Sequence, residues 1–397
     1  MLENISIQAK RAVLEPGVEI DNAVIQIQHG VIVSVAKSNV PSAQTVDLGD
    51  VTLAPGFVNA HTHLEFSDLD NPLGQPGMPF VDWLQLVISQ RFSESQSEQS
   101  KRLAICDGLS QSAGFGTAAL GEIGTSTLVP DQYVQENIDV TLFFERLTRN
   151  PELVDSVGKE CEDWLDESKS EERSAIKAIS PHAPYSVHPQ LFKQLVQHSI
   201  KFRCPIAIHL AETQAELQLL KSKDGPFVEF MKSLSAWFPD TYTTGTRIMD
   251  YLELLATVPL SLVVHGNYLN DQEISFVAGN ETMWVVFCPR THDYFRHSEY
   301  PLEKLISADV NLAIGTDSRA SNPDLSLFEE LKMIKQKWPG LSDMQLLKMS
   351  TNSKPLGRAE DLTWIKVGNC ARLNVLEQID NGLFSSESRC TPLAKWI

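Results

Sequence analysis

The sequence predicts an α/β protein, a (β/α)8 TIM-type barrel with a small β-sandwich domain formed from both chain ends. Three observations carry this expectation. Eight short apolar runs recur through the middle of the chain, longer helix-like stretches separate them, and both ends are rich in β-prone segments. Near-continuous apolar strands alternating with helices indicate a parallel sheet covered on both faces, and eight of them suit a closed barrel. An open doubly wound sheet is the alternative.

At the N-terminus, in AVIQIQHGVIVSVAK, apolar residues alternate on either side of His29-Gly30, the pattern of a hairpin with one buried face. The tail from Asp361, DLTWIKVGNCARLNVLEQID, returns to short β-prone runs. Residues 1–53 and 361–397 are therefore expected to fold together, with 54–360 forming the barrel. Its strand runs are GFVNAH (56–61), GTAAL (116–120), VTLFF (140–144), AIKAIS (175–180), PIAIH (205–209), LSLVVH (260–265), MWVVFC (283–288) and VNLAIGT (310–316). Helices are expected over 81–92, 97–113, 188–201, 246–257 and 324–338. The polar stretch 93–101, SESQSEQSK, reads as a solvated loop or an exposed helix start. Residues 222–245 form a long excursion between two strands, which either closes over a substrate or is a surface subdomain.

Composition removes several function classes. With 42% hydrophobic and 21% charged residues the chain reads as folded throughout. A net charge of −18 argues against binding a phosphate backbone, so no nucleic-acid partner is expected. No run approaches the ~18 apolar residues of a membrane helix, and MLENISIQAKRAVLEPG lacks the apolar core of a signal peptide. The expected compartment is the cytoplasm, and a homodimer is left open. Six scattered cysteines without a CxxC pair suggest reduced thiols. The HxE and PCxxC signature of the zinc nucleoside deaminases is absent, as are a P-loop and a GxSxG elbow. GFGTAA (114–119) loosely matches a dinucleotide fingerprint but precedes a strand run instead of following one.

The residues that carry chemistry lie at strand ends. In NAHTHLEF, His61 and His63 stand at i and i+2 at the end of the first run. Alternate strand residues face one side, so both imidazoles can enter one cavity. His209 ends PIAIH, His265 ends LSLVVH, and Asp317 follows VNLAIGT. Each has an ordinary reading by itself, as a core histidine or, for Asp317 before SRASN, a helix cap. In a barrel, however, all strand ends converge on one face, and five metal-capable residues there point to a metal site.

The segments APGFVNAHTHLEFS, ISPHAPYSV, IHLAET, VVHGNYL, FCPR and GTDSRASNPDLSLFEELK span about residues 53–335. In these the chain resembles the amidohydrolase superfamily, in the group of guanine, S-adenosylhomocysteine and aminodeoxyfutalosine deaminases and triazine chlorohydrolases. The resemblance implies that His61, His63, His209 and Asp317 hold one divalent metal ion, zinc or iron. No lysine ends the fourth strand run, where binuclear relatives carry a carboxylated one, so a single ion is expected.

The resemblance also implies roles. Glu212 would protonate a ring nitrogen and help deliver a proton to leaving ammonia; otherwise it is a first-turn helix glutamate favoured by the helix dipole. His265 would orient the attacking water, Asp317 would take its proton, and His182 would contact substrate unless it merely caps a turn. Arg146 and Arg319 are candidate contacts to a polar or anionic substrate group, against the commoner fate of a surface ion pair. The chain departs from the family's pattern at CPRTH, with Thr291 and His292 where relatives often carry Ser-Asn. The expected reaction is hydrolytic deamination of an amino-substituted nitrogen heterocycle, purine or nucleoside-like. The alternatives are hydrolysis of an amide, a ring imine or a carbon–chlorine bond, and a catalytically silent barrel.

Overall fold

A computed structural model describes residues 4–37, 45–92, 97–125, 138–166, 175–377 and 382–396. Eight parallel strands follow one another in chain order: Phe57–His63, Thr117–Gly124, Asp139–Arg146, Ile176–Pro181, Ile206–Leu210, Ser261–His265, Met283–Phe287 and Leu312–Ile314. The eighth pairs with the seventh at Leu312 and Val285. It resumes as Asp317–Ser318, which pairs with the first strand through Asp317 to Thr62 and Ser318 to His63. The sheet therefore curls back to its own start, the geometry of a TIM-like barrel.

Burial on both faces explains the unbroken apolar runs. Every residue of Ile206–Leu210, Ser261–His265 and Met283–Phe287 is buried. Val58, Ala119, Phe143, Ala207, Leu262, Val264 and Val286 pack together inside the barrel. Ile206, Ile208 and Val263 pack outward on helix residues such as Leu191, Leu195 and Leu252. Gly121 is dictated by space: a Cβ there would lie 2.7 Å from the Ala60 carbonyl oxygen.

The helices between strands begin where short polar side chains can cap them. Ser97 opens Glu98–Gly114 with a reciprocal capping box to Ser100, and Asn270 does the same for Asp271–Ala278 through Glu273. Of the polar stretch 93–101, residues 93–96 lie outside the described residues, and the rest begins this capped helix. The excursion 222–245 contains the helix Pro226–Ser233, whose Phe227 ring stacks on Tyr185 at 4.2 Å and lies 6.4 Å from Phe80. It thus packs against the helix Phe80–Arg91 that follows the first barrel strand.

Both chain ends build one seven-stranded sheet from Ile5–Glu15, Val18–Gln28, Val31–Lys37, Thr45–Asp47, Thr52–Pro55, Leu373–Glu377 and Arg389–Pro392. Thr52–Pro55 joins the ends, parallel to the first strand and antiparallel to Leu373–Glu377. The hairpin turns at His29 and Gly30 with φ of 50° and 76°, the left-handed pair of a type I′ turn. The expected sandwich is not what the described pairings draw: they give a single sheet. Its apolar residues Ile7, Ile25, Leu53 and Val375 pack with Ile365 and Leu393, a loop residue and a helix residue, in place of a second sheet. No described helix is long and apolar enough to cross a membrane.

Candidate metal centre and active site

Four strand ends bring the imidazoles and one carboxylate together. His63 Nε2 lies 3.4 Å from His209 Nε2, and His61 Nε2 and His63 Nε2 are each 3.6 Å from Asp317 Oδ1. His265 Nε2 stands 4.0 Å from Asp317 Oδ2 and 3.4 Å from Glu212 Oε1. The backbone is bent to achieve this. His265 and Asp317 have φ of 71° and 58°, and Ala211 has 54°, left-handed values that cost non-glycine residues energy. On the first strand the ladder shifts register between Asn59 and Thr62, where the chain passes from the inner-core residues Val58 and Ala60 to His61 and His63.

Hydrogen bonds fix the orientations. His209 Nδ1 donates to the His182 carbonyl oxygen at 2.9 Å, which leaves Nε2 as the lone-pair nitrogen facing His63. Glu216, fully buried, accepts the backbone N–H groups of Ala211 at 3.1 Å and Glu212 at 2.8 Å. Asn267 Nδ2 donates to the Glu212 carbonyl at 2.9 Å, so the Glu212 backbone is held both by the helix that follows it and by the turn after the next strand. His182 has its Nδ1 2.6 Å from Ser186 Oγ, and its ring lies 5.1 Å from that of His209.

The electrostatics separate the groups. Burial, followed by repulsion from His61, pushes His63 well below the ordinary imidazole value, and the same two causes bring His209 to about 3. Burial also lowers His265 strongly. Burial alone would raise Asp317, but His61, His265 and His63 overcome it and hold this carboxyl well below the usual range. Glu212 goes the other way: burial, then the charges of Asp317 and Glu216, raise it well above a normal glutamate. Imidazoles of lowered proton affinity beside a carboxylate of lowered proton affinity are the donor types that divalent cations take.

A cation fits these atoms. Nδ1 and Nε2 of His61 and Nδ1 of His63 are buried without a hydrogen-bond partner, although buried polar atoms normally have one. Ligand atoms of His61, His63 and Asp317 lie within 4.8 Å of one another, as do those of His61, His209 and His265. Three nitrogens and a carboxylate suit zinc or iron.

The two arginines singled out from the sequence are not brought to this cluster. Arg146 follows Glu145 on the third strand and takes the outward parity of Phe144. It packs over the Phe144 ring and pairs with Glu160 at 2.6 Å. Arg319 bonds Gln111 Oε1 and the Asp70 carbonyl, both at 3.1 Å. The inward residue is Glu145, 3% exposed, whose Oε1 is 4.0 Å from His209 Nδ1 and lacks a hydrogen-bond partner. Counting outward from Phe143 by the strand's period of two would have found it. Glu122, which accepts the Leu64 N–H through both oxygens, and Glu65, which holds Thr125, were missed as well. His292 lies buried behind the cluster with its ring 5.6 Å from that of Tyr300, whose hydroxyl donates to the His265 carbonyl.

Comparison with known proteins agrees with this architecture. Residues 52–395 match the amidohydrolase family model. An aminodeoxyfutalosine deaminase of Deinococcus radiodurans is 28% identical over 310 residues, which is 75% of this chain and 71% of that protein. A 5-methylthioadenosine/S-adenosylhomocysteine deaminase of Pyrococcus furiosus is 26% identical over 373 residues, 89% of this chain and 81% of its own. Among solved structures, Helicobacter pylori aminofutalosine deaminase in complex with methylthio-coformycin superposes with a TM-score of 0.77 at 19% identity, covering 95% of this chain and 93% of that one. At that identity the structural match speaks for the fold. With a family match across most of its length, the chain belongs to the amidohydrolase family.

Proposed function

We propose that this chain is a metal-dependent aminohydrolase that releases ammonia from an amino-substituted nitrogen heterocycle of the purine or purine-nucleoside class. One observation carries the reading: two carboxylates flank the same imidazole, 4.0 and 3.4 Å from His265 Nε2, with the proton affinity of Asp317 driven down by the surrounding imidazoles and that of Glu212 driven up by burial. Groups whose environments drive their proton affinities apart are an acid and a base in waiting. The deaminase names of the Deinococcus and Pyrococcus relatives support the same reaction class.

His61, His63, His209 and Asp317 would hold one divalent ion, zinc or iron, which when bound supplies Lewis-acid charge and a water of lowered pKa. The chain's own residues move the protons. Asp317 takes the first proton of the attacking water, and His265 orients that water. Glu212 gives its proton to the ring nitrogen beside the carbon under attack. Asp317 then passes its proton to the departing amino group, and Glu212 is reprotonated by the new hydroxyl as it becomes a carbonyl. His182 contacts the substrate. The division into 1–53 plus 361–397 and 54–360, and a cytoplasmic location, belong to the same reading.

Elemental analysis of purified protein should find one zinc or iron per chain, and ammonia should appear with one or more aminated purines or nucleosides. His61→Ala should lose both metal and activity. No transition metal, or silence across purines, pyrimidines, pterins and triazines with turnover of an amide, would overturn the assignment.

A further inference from the structure

The turn that carries Glu212 is held in a conformation that alanine does not choose. Ala211 leaves the strand Ile206–Leu210 with φ of 54°, left-handed backbone that a residue with a Cβ keeps only when its surroundings hold it there. Glu216 Oε1 accepts the Ala211 N–H at 3.1 Å, and its Oε2 accepts the Glu212 N–H at 2.8 Å. From the other side Asn267 Nδ2 donates to the Glu212 carbonyl at 2.9 Å, and the Tyr268 N–H to the Ala211 carbonyl at 3.1 Å. Beyond this turn the Glu212 carboxyl stands 3.4 Å from His265 Nε2.

Helix capping does not account for Glu216. It lies three residues after Thr213, the N-cap of the helix Gln214–Ser222, which is the spacing of a capping box. In a capping box the carboxylate closes on the N–H of the N-cap itself; here its oxygens reach past Thr213 to the two residues before it. Thr213 Oγ1 already caps the helix by accepting the Glu216 N–H at 3.1 Å. Glu216 is also 0% exposed, and among the described residues no ion pair offsets its charge. A carboxylate buried without a cation is costly, and the strained turn is where that cost has its return.

We propose that Glu216 is a positioning residue: it fixes the turn that bears Glu212 and so sets where the Glu212 carboxyl meets the substrate, without touching substrate or metal itself. The consequence for rate rests on the deaminase reading above, in which Glu212 is the acid. The competing role is stability alone, in which Glu216 ties helix to strand with equal effect whatever residue stands at 212.

The test uses the metal-loaded full chain, with adenosine, 5′-methylthioadenosine and guanine as probes, and Glu216→Gln, which keeps the volume but offers one acceptor and turns an amide N–H toward the backbone. On whichever probe releases ammonia, kcat should fall on the order of 10- to 100-fold, the cost of a displaced reacting group, with KM and metal content near wild type. In a Glu212→Gln background the same change should cost less than about twofold, because its effect passes through the Glu212 carboxyl. An equal loss in both backgrounds, or kcat near wild type, would refute the proposal. Glu216→Asp keeps the charge but draws its oxygens back by one carbon; it should show the same pattern more weakly, and it carries the test if the glutamine variant does not fold. Amide hydrogen exchange needs no turnover: at Ala211 and Glu212 it should quicken on the order of 10- to 100-fold in the variant, the value of a charge-assisted hydrogen bond. If no aminated purine is turned over, or Glu212→Gln keeps normal activity, the reaction assignment fails while quickened exchange confined to that turn still upholds the positioning role. Unchanged exchange, or exchange quickened along the whole helix, then refutes that too.

Discussion

The barrel interior has two levels, and they obey different rules. In the lower one, Val58, Ala60, Ala119, Phe143, Ala207, Leu262, Val264 and Val286 fill the space with apolar groups in ordinary strand conformations. Above it, on continuations of the same strands, stand His61, His63, Glu145, His209, His265 and Asp317, with left-handed backbone at His265 and Asp317 and buried imidazole nitrogens that have no partner. The lower level gains stability from burial and close packing. The upper level spends some of it on strain and desolvated polar groups, an arrangement that persists because the packed level beneath holds it in place.

That contrast can be broken from either side. The largest effect belongs above: Glu212→Gln keeps the side chain's volume but removes its transferable proton, so kcat should fall on the order of 10²- to 10⁴-fold. Metal content and melting temperature should stay near wild type, and a variant that loses its metal would make Glu212 a ligand. Below, Phe143→Ala should cost about 3–5 kcal/mol in denaturant unfolding, with the activity of the folded fraction preserved. A selective loss of kcat without loss of stability would mean that the two levels are not separable.

The smallest effect sharpens the contrast through pH. His182 and His209 titrate at about 3 in the folded chain against 6.5 for a free imidazole. As pH falls from 6.5 towards 3, the unfolded state gains protons that the folded state refuses, so stability is lost over that interval. Melting temperatures of metal-free protein should decline through it. His182→Asn, which retains a polar group but cannot titrate, should flatten part of the slope.

Much of the upper level was legible because strand ends in a barrel share a face, so His61, His63, His209, His265 and Asp317 could be grouped without a structure. Strand limits were legible for the same reason, an apolar run buried on both faces. Orientation past a strand's last apolar residue was not. Arg146 was read as a candidate contact to a polar or anionic substrate group and Glu145 was not considered, yet the strand's period of two aims Glu145 inward. Glu216 and Glu122 resemble solvated helix and strand residues in sequence, and only their capture of backbone N–H groups, Glu216 from the turn just before its helix and Glu122 from Leu64 at the end of the neighbouring strand, shows what they hold. The small sheet was expected to need a second sheet over its apolar face, while a short helix and a loop residue supply that cover.

The seam where the sheet closes also has a bearing on assembly. Thr62 Oγ1 donates to the Asp317 carbonyl across 255 residues of sequence, and Asp317 is both one of the two rungs that close the ladder and the carboxylate of the cluster. Contacts of such sequence separation form late, because the entropy of closing so long a chain must be overcome first. Under the proposed ligand set, ring closure and completion of the cation site would thus be one event. A chain still emerging from the ribosome could then present His61, His63 and His209 but not Asp317, and full affinity for an ion held by these four would arrive only with the finished ring. Added metal should accordingly change the rate at which refolded barrels come apart far more than the rate at which they first collapse.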